Sequence, residues 1–425
     1  MSPTFRALHN HNYRLYAAGG VLSNTGTWMQ RVAQDWLVVL LATNAGTALG
    51  ITTGLQFLPA LLLSPVAGLV ADRVSKQRLL QVTQGVMGLT ALLLGLLTVT
   101  GTVQVWHVYV LAFVLGVGSA FDAPARQSFV SEMVEPEDLT NAVGLNSASF
   151  NVARLVGPAL AGLLIGLFGG GVAATGWVIL INAVSFVPVL WALQRMVLAD
   201  LHVTPREARH KGMIRDAVRY LRGRPDLMLI LSTVFFAGTF GLNFQLTSAL
   251  MATQVFDKGA TQFGLLGSAL AIGSLSGALL AARRTTVRLR LVVGSALVFG
   301  TMEIISGLAP SYVTFALIVP LVGLSSLTMM TAANTMMQLA TAPGLRGRVM
   351  ALYLMVFMGG TPIGSPLIGW IGETFGARWT LFAGGGLTVL GVLVSMAVFA
   401  RSRRVLAETV VARQPVLTEP VGSAA

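Results

Sequence analysis

The chain contains no cysteine. That absence excludes disulfides, thiolate metal centres and cysteine nucleophiles together. Charge is scarce as well: Asp, Glu, Lys and Arg make up 10% of 425 residues, and only 16 residues are acidic. There are five histidines, His9, His11, His107, His202 and His210. His9 and His11 lie in a polar amino-terminal tail with no carboxylate at ligand spacing, so they read as solvated residues rather than metal ligands. No phosphate-binding GxxxxGK loop occurs, which removes ATP hydrolysis as an energy source. Neither a nucleophile–base pair nor a metal constellation is visible, so no enzyme activity is expected. Glu132, Glu135, Glu137 and Asp138 cluster in one turn, where they read as a solvated helix start.

What the chain does have is apolar length. Hydrophobic residues reach 54%, with 47 glycines, and mean hydropathy is +0.75. Glycine at this level suits membrane helices that approach closely. About twelve segments reach the roughly 20 apolar residues that a bilayer span needs. They run over 14–41, 49–71, 79–101, 105–126, 140–168, 173–194, 226–256, 261–282, 289–309, 312–341, 348–371 and 379–400. The first is too long for a cleavable signal and carries Gln30, Arg31 and Asp35.

The net charge of +12 is distributed one-sidedly. Numbering the gaps alternately puts 24 of the 28 basic residues on one side. The positive-inside bias then places both termini in the cytoplasm of a cell whose plasma (inner) membrane holds the chain. Basic residues strung beside membrane segments, rather than clustered on a folded polar surface, argue against nucleic acid.

Five regions follow: a cytoplasmic tail 1–13, a six-helix bundle 14–194, a linker 195–225, a second six-helix bundle 226–400 and a disordered tail 401–425. In the linker, Ile214, Val218 and Leu221 stand at helical spacing beside Arg215, Arg219 and Arg222. That pattern fits either an amphipathic helix on the anionic inner leaflet or a solvated linker helix. The halves look related. GLVADR at 68–73 matches GALLAA at 277–282, an offset of 209. VARLVGPALAG at 152–162 matches GGTPIGSPLIG at 359–369, an offset of 207 that pairs Gly157 with Gly364 and Gly162 with Gly369. Two repeated halves with a binding site between them near mid-membrane are a transporter plan.

Several stretches carry a family resemblance. GLVADRVSKQR, after the second segment, resembles the cytoplasmic signature of the major facilitator superfamily, with Gly68, Asp72, Arg73 and Lys76 in its places and Ser75 where a glycine is usual. ARLVGPALAG in the fifth segment resembles the antiporter signature through Gly157, Pro158 and Gly162, with Ala153 and Ala161 in place of glycines. FDAPARQSFV, PEDLTNAVGLNSASFNVARLVGPALAG and PGLRGRVMALY are most similar to the branch holding the enterobactin exporter and macrolide efflux proteins. The resemblance spans essentially residues 5 to 400. It implies an all-α membrane protein of twelve transmembrane helices in two pseudo-symmetric bundles, working by alternating access. It also implies a cytoplasmic gate in which Asp122 and Arg126 partner the Asp72–Arg73 signature, and a bent fifth helix that seals the outer side. Helices one, four, seven and ten would line the cavity.

A charge at mid-bilayer costs about 2.5–3.5 kcal/mol on insertion scales, so intramembrane ions are functional candidates. There are four: Arg31, Asp35, Arg154 and Glu303, summing to zero. Arg31 and Asp35, spaced i, i+4, can pair along one helix. Asn24, Thr27, Arg31 and Asp35 form a polar stripe with Gln34 at its edge; Ser147, Asn151, Arg154 and Pro158 form another. Such stripes must face protein or water. A carboxyl whose distance from an arginine changes with conformation binds and releases a proton, which makes Asp35 the leading candidate. The alternative is a static ion pair fixing helix register. The family resemblance implies that the ninth helix, which carries Glu303, is peripheral, so Glu303 reads as a structural hydrogen-bonding group first. For the cargo, Phe236, Phe240 and Phe244 share a face of the seventh segment beside Asn243, and Met330, Asn334 and Met337 share one of the tenth.

The expectation is therefore a monomeric, proton-coupled antiporter that expels a small amphipathic molecule, such as a drug or siderophore. It would use no cofactor beyond the proton gradient. An importer or uniporter of a small solute is the alternative.

Overall fold

In the computed structural model, residues 3–202, 213–284, 286–342, 345–399 and 410–412 are described. The N-terminal half comprises α1 (His11–Leu41), α2 (Ala45–Arg73), α3 (Lys76–Val99), α4 (Val105–Met133), α5 (Leu139–Leu167) and α6 (Val172–Arg195). A short helix, α7 (Met213–Arg222), precedes the C-terminal half. That half comprises α8 (Pro225–Phe236), α9 (Phe244–Leu250), α10 (Ala260–Ala282), α11 (Leu289–Gly307), α12 (Tyr312–Ala340), α13 (Arg346–Gly359), α14 (Thr361–Phe375) and α15 (Ala377–Phe399). The result is an all-α membrane fold of two six-pass bundles, with α8–α9 forming the seventh pass and α13–α14 the eleventh.

Among the described residues, eleven passes are long and apolar enough to cross a bilayer by composition alone. The twelfth is α1. Asn24, Thr27, Gln30, Arg31, Gln34 and Asp35 depress its hydropathy, and it lies between α5 and α6 with its polar residues turned into protein. In lipid such groups need partners. Gln30 bonds Asn182 of α6, and Gln34 Nε2 donates to Gln56 of α2 at 3.2 Å.

Two passes that the sequence reads as continuous are broken. The seventh leaves α8 through a π-helical turn, Ala237–Gly241, bends at Leu242–Asn243, and ends in a second π-helical turn, Met251–Val255. Glycines at 238 and 241 permit the break. Asn243 mends it: its Nδ2 donates to the carbonyls of Thr239 at 2.9 Å and Phe240 at 3.1 Å. The eleventh pass parts between Gly359 and Thr361, just before Pro362, whose ring and missing N–H cannot continue a helix.

The linker helix α7 buries Ala217 and Leu221, and it packs on α8 and α13. Its described apolar side is thus covered by protein rather than lipid. Ile214 and Arg215 lie outside the side chains described. The region 401–425 also lies outside the described residues, save Val410–Ala412. These form β2, antiparallel to β1 (Thr286–Arg288), with Val287 opposite Val411.

Candidate functional site

The halves meet in two seams, both on the face opposite the basic residues. In one, α2 crosses α14; in the other, α5 crosses α10. Glycine makes both possible. A Cβ on Gly46 would stand 2.6 Å from the carbonyl oxygen of Gly369, and a Cβ on Gly162 would stand 2.5 Å from that of Ala260. Gly264 of α10 in turn abuts Pro158 and Gly162. The paired repeat positions play matched parts: Gly162 faces α10 and Gly369 faces α2. Likewise Gly157 abuts Trp28 of α1, with a Cβ 2.6 Å from that side chain, and Gly364 abuts Thr239 in the seventh pass. One seam is the other turned about a two-fold axis.

On the basic face, α4 and α12 do not pack together, and the halves stand apart. A cavity of about 290 Å³ opens there, lined from the N-terminal half by α1, α3, α4, α5, α6 and the segment before α1. Tyr16, Asn24, Gln84, Arg126 and Asn146 line it. Arg126 is held by a bidentate pair with Asp122, at 2.7 and 2.9 Å, and donates to Asn24 Oδ1 at 3.0 Å. Asp122 also accepts from Gln84 at 2.6 Å and Thr83 at 3.1 Å. Asp122 and Arg126 therefore serve each other and their own bundle.

The side chain of Asp72 lies outside the described residues. Gly68 faces open space, and Arg73 is exposed at the end of α2. Ser75 caps α3. Lys76 makes a buried ion pair with Glu132 at the end of α4, the two side chains being 13% and 6% exposed. This corrects the solvated reading of the acidic turn for Glu132, though it holds for Glu135, whose side chain is 62% exposed. Helix α4 runs on to Met133, past the apolar stretch, and carries Glu132 back against α3.

Further in, at the level of the seams, two guanidinium groups share one indole. Arg31 lies 4.8 Å from the Trp28 ring centroid and 5.9 Å from that of Phe57. Arg154, from α5, lies 5.7 Å from the same indole. Phe150 meets Trp28 edge-on at 5.8 Å. Arg154 Nη2 donates to Ser274 of α10 at 3.4 Å, a bond between the halves. Arg31 and Asp35 are not ion-paired among the described residues, which corrects the i, i+4 pairing that their spacing suggests. The carboxyl is buried at 7% exposure towards the sealed end of α1.

Glu303 sits in the C-terminal half at 2% exposure. Its Oε2 has no hydrogen-bond partner among the described residues, so the structural bond that its position suggests is not made. It faces Gly241 in the π-helical turn, with Gly384 and Gly385 of α15 beside it.

The cargo candidates divide. Asn334 is exposed and Met330 half-buried, but Met337 is fully buried. Phe236 packs on Gly391 of α15 and stacks with Phe240 at 6.3 Å. Phe244 stacks with Phe315 of α12 at 6.3 Å. Asn243 is committed to the helix break and to Ser365. These phenylalanines cement the C-terminal bundle. Trp28, Phe57 and Ser274 are the residues that sequence reasoning passes over; an aromatic three residues from an intramembrane arginine is the signal for Trp28. No cluster suited to a metal ion occurs among the described residues.

Comparison with known proteins gives a consistent result. Residues 2–422 match the family model described as transmembrane secretion effector. The chain is 26% identical to the staphyloferrin A transporter of Staphylococcus aureus over 83% of its length and 87% of that protein's. It is 27% identical to the multidrug efflux pump Tap of Mycobacterium tuberculosis, over 95% and 96%. With macrolide efflux protein A of Streptococcus pyogenes the identity is 22%, over 90% and 95%. Among solved structures, a bacterial homologue of the human lysosomal transporter Spinster, inward-facing and unoccupied, aligns with TM-score 0.68 at 16% identity, covering 96% of this chain and 98% of that one. The xylose transporter XylE of E. coli aligns with TM-score 0.69 at 12% identity, covering 91% and 95%. These structural likenesses concern the fold alone.

Proposed function

Given a chain that belongs to the transmembrane secretion effector family of the major facilitator superfamily, we propose an exporter driven by the proton gradient. Secondary transport of a small solute by alternating access is the activity of such a chain; direction and coupling are the proposal. The basic face lies in the cytoplasm with both termini, in the plasma (inner) membrane, and the protein acts as a monomer. Cargo enters the chamber between the halves from the cytoplasm. The halves then rock, the two glycine seams part, and cargo leaves on the other side.

The observation that carries this reading is the one-sided chamber. Two rigid bundles are sealed by paired glycine seams at one face and stand apart at the other. Seams made of backbone against backbone have few interlocked side chains to disengage, so they can open and reclose. Among the described residues, Asp35 and Glu303 are buried carboxyls of the membrane interior without an ion pair, and either can carry a proton. The similarity to Tap and to macrolide efflux protein A supports outward transport, and with it the narrower efflux branch.

Accumulation of a panel of fluorescent drugs, in cells lacking and overproducing the protein, tests the proposal. Overproduction is expected to lower accumulation, and a protonophore to restore it. Raised accumulation on overproduction would establish the importer reading instead.

A further inference from the structure

We infer that Arg31, Trp28 and Arg154 form the binding subsite for an anionic group, and that the cargo is an organic anion with an aromatic or apolar body. This rests on the transport reading and names its substrate class.

The other two interior cations of the N-terminal half are both neutralised, Lys76 by Glu132 and Arg126 by Asp122. Arg31 and Arg154 are different: neither has a carboxylate within ion-pair distance among the described residues. They repel one another, yet they come from separate helices to the same indole. An unneutralised pair of cations at mid-membrane needs a counter-charge. Asp35 stands beyond ion-pair distance, and Glu303 lies in the opposite half against α15.

The geometry suits a carboxylate, phosphonate or sulfonate. A guanidinium resting over an aromatic face uses its π surface there and leaves its in-plane N–H groups free. Those groups are the donors that grip such an anion two at a time. Arg154 spends one nitrogen on a long, 3.4 Å contact with Ser274. Trp28, Phe57 and Phe150 build an aromatic wall alongside, and Phe150 is 46% exposed. An amphipathic anion thus finds its headgroup and its body answered side by side. The Arg154–Ser274 bond also joins the two halves at the end of the α5–α10 seam. An anion that takes Arg154 from Ser274 acts on the seam directly.

Three probes of one shape test this: 2-naphthoate, 2-naphthylmethanol and 2-naphthylmethylammonium, titrated calorimetrically against the protein in nanodiscs. Saturable binding is expected for 2-naphthoate, at least about tenfold tighter than for the ammonium. Arg31→Gln and Arg154→Gln should each weaken 2-naphthoate by about tenfold or more and leave 2-naphthylmethanol unchanged, whereas Arg154→Lys should retain part of the anion preference. Equal affinity for anion and cation in the wild-type protein overturns the inference, whether or not the variants fold. So does the absence of saturable 2-naphthoate binding, or anion affinity untouched by both Gln substitutions. Flux into proteoliposomes separates the two claims. Binding through the arginines with no passage of 2-naphthoate refutes the anion as cargo and leaves the anion site standing. Transport of a drug cation by a protein with no anion preference refutes the anion site alone.

Discussion

The two halves share a fold but are held together differently. In the N-terminal half, buried polar groups tie helix to helix: Asn12 to Val197, Tyr13 to Ala142, Gln30 to Asn182, Asp122 to Thr83 and Gln84, Lys76 to Glu132. In the C-terminal half, packing dominates. Glycines let α11 and α15 touch backbone to backbone, as at Gly300 and Gly385, and phenylalanines fill the rest. Two of its passes are broken, and among the described residues its membrane interior holds one lone carboxyl, Glu303. Polar bonds are directional and resist sliding, whereas glycine seams and π-helical turns tolerate it. The comparison places directional polar ties in the first half and the more tolerant contacts and helix breaks in the second.

The largest effects should come from breaking the symmetry of the seams. Gly162→Leu and Gly369→Leu occupy related positions, so each should abolish net transport while leaving the protein folded in detergent. Full activity in one and none in the other would mean that the seams are not equivalent. Next comes the polar lock of the N-terminal half. Lys76→Gln leaves Glu132 buried without its cation and should cost about 3–5 kcal/mol. A thermal melt in detergent reads that loss, and Lys76→Met with Glu132→Leu should recover most of it.

Breaking the hinge should cost less. Asn243→Ala frees two carbonyls at the bend of the seventh pass and should cost about 1–3 kcal/mol in the same melt. Smallest in stability, but sharpest for mechanism, is Glu303→Gln, which replaces an unpartnered carboxyl with a neutral isostere. Melting should hardly move, while the dependence of transport on the proton gradient should vanish. Asp35→Asn sharpens the contrast. Asp35 and a bound anion both draw on Arg31, so a proton on Asp35 favours the anion. If 2-naphthoate binding tightens as pH falls in wild-type protein but not in Asp35→Asn, the linkage at Asp35 is established.

Much of this architecture was legible in the residues. Twelve passes, two related halves and the pairing of Gly157 with Gly364 and Gly162 with Gly369 all follow from hydropathy and small-residue spacing. Those signals are local, and a bilayer leaves few alternatives to a helix. The site was less legible because its partners are distant in sequence. The i, i+4 rule puts Arg31 beside Asp35, but aromatic rings from α1 and α2 claim the guanidinium. Helical spacing puts Phe236 and Phe244 on one face without saying that α15 and α12 cover it. The breaks at Gly238–Gly241 and Gly359–Gly360 were hidden inside hydrophobic runs of ordinary length.

The central claim is that the two halves rock, closing one face as the other opens. A chain without cysteine lets it be measured directly by double electron–electron resonance. Spin labels at Val143→Cys and Gln338→Cys report the basic face; labels at Thr102→Cys and Leu308→Cys report the opposite one. Each pair should show two distances, and conditions that shorten the first pair should lengthen the second. A single unchanging distance in both pairs, in a protein that still transports, would contradict the account.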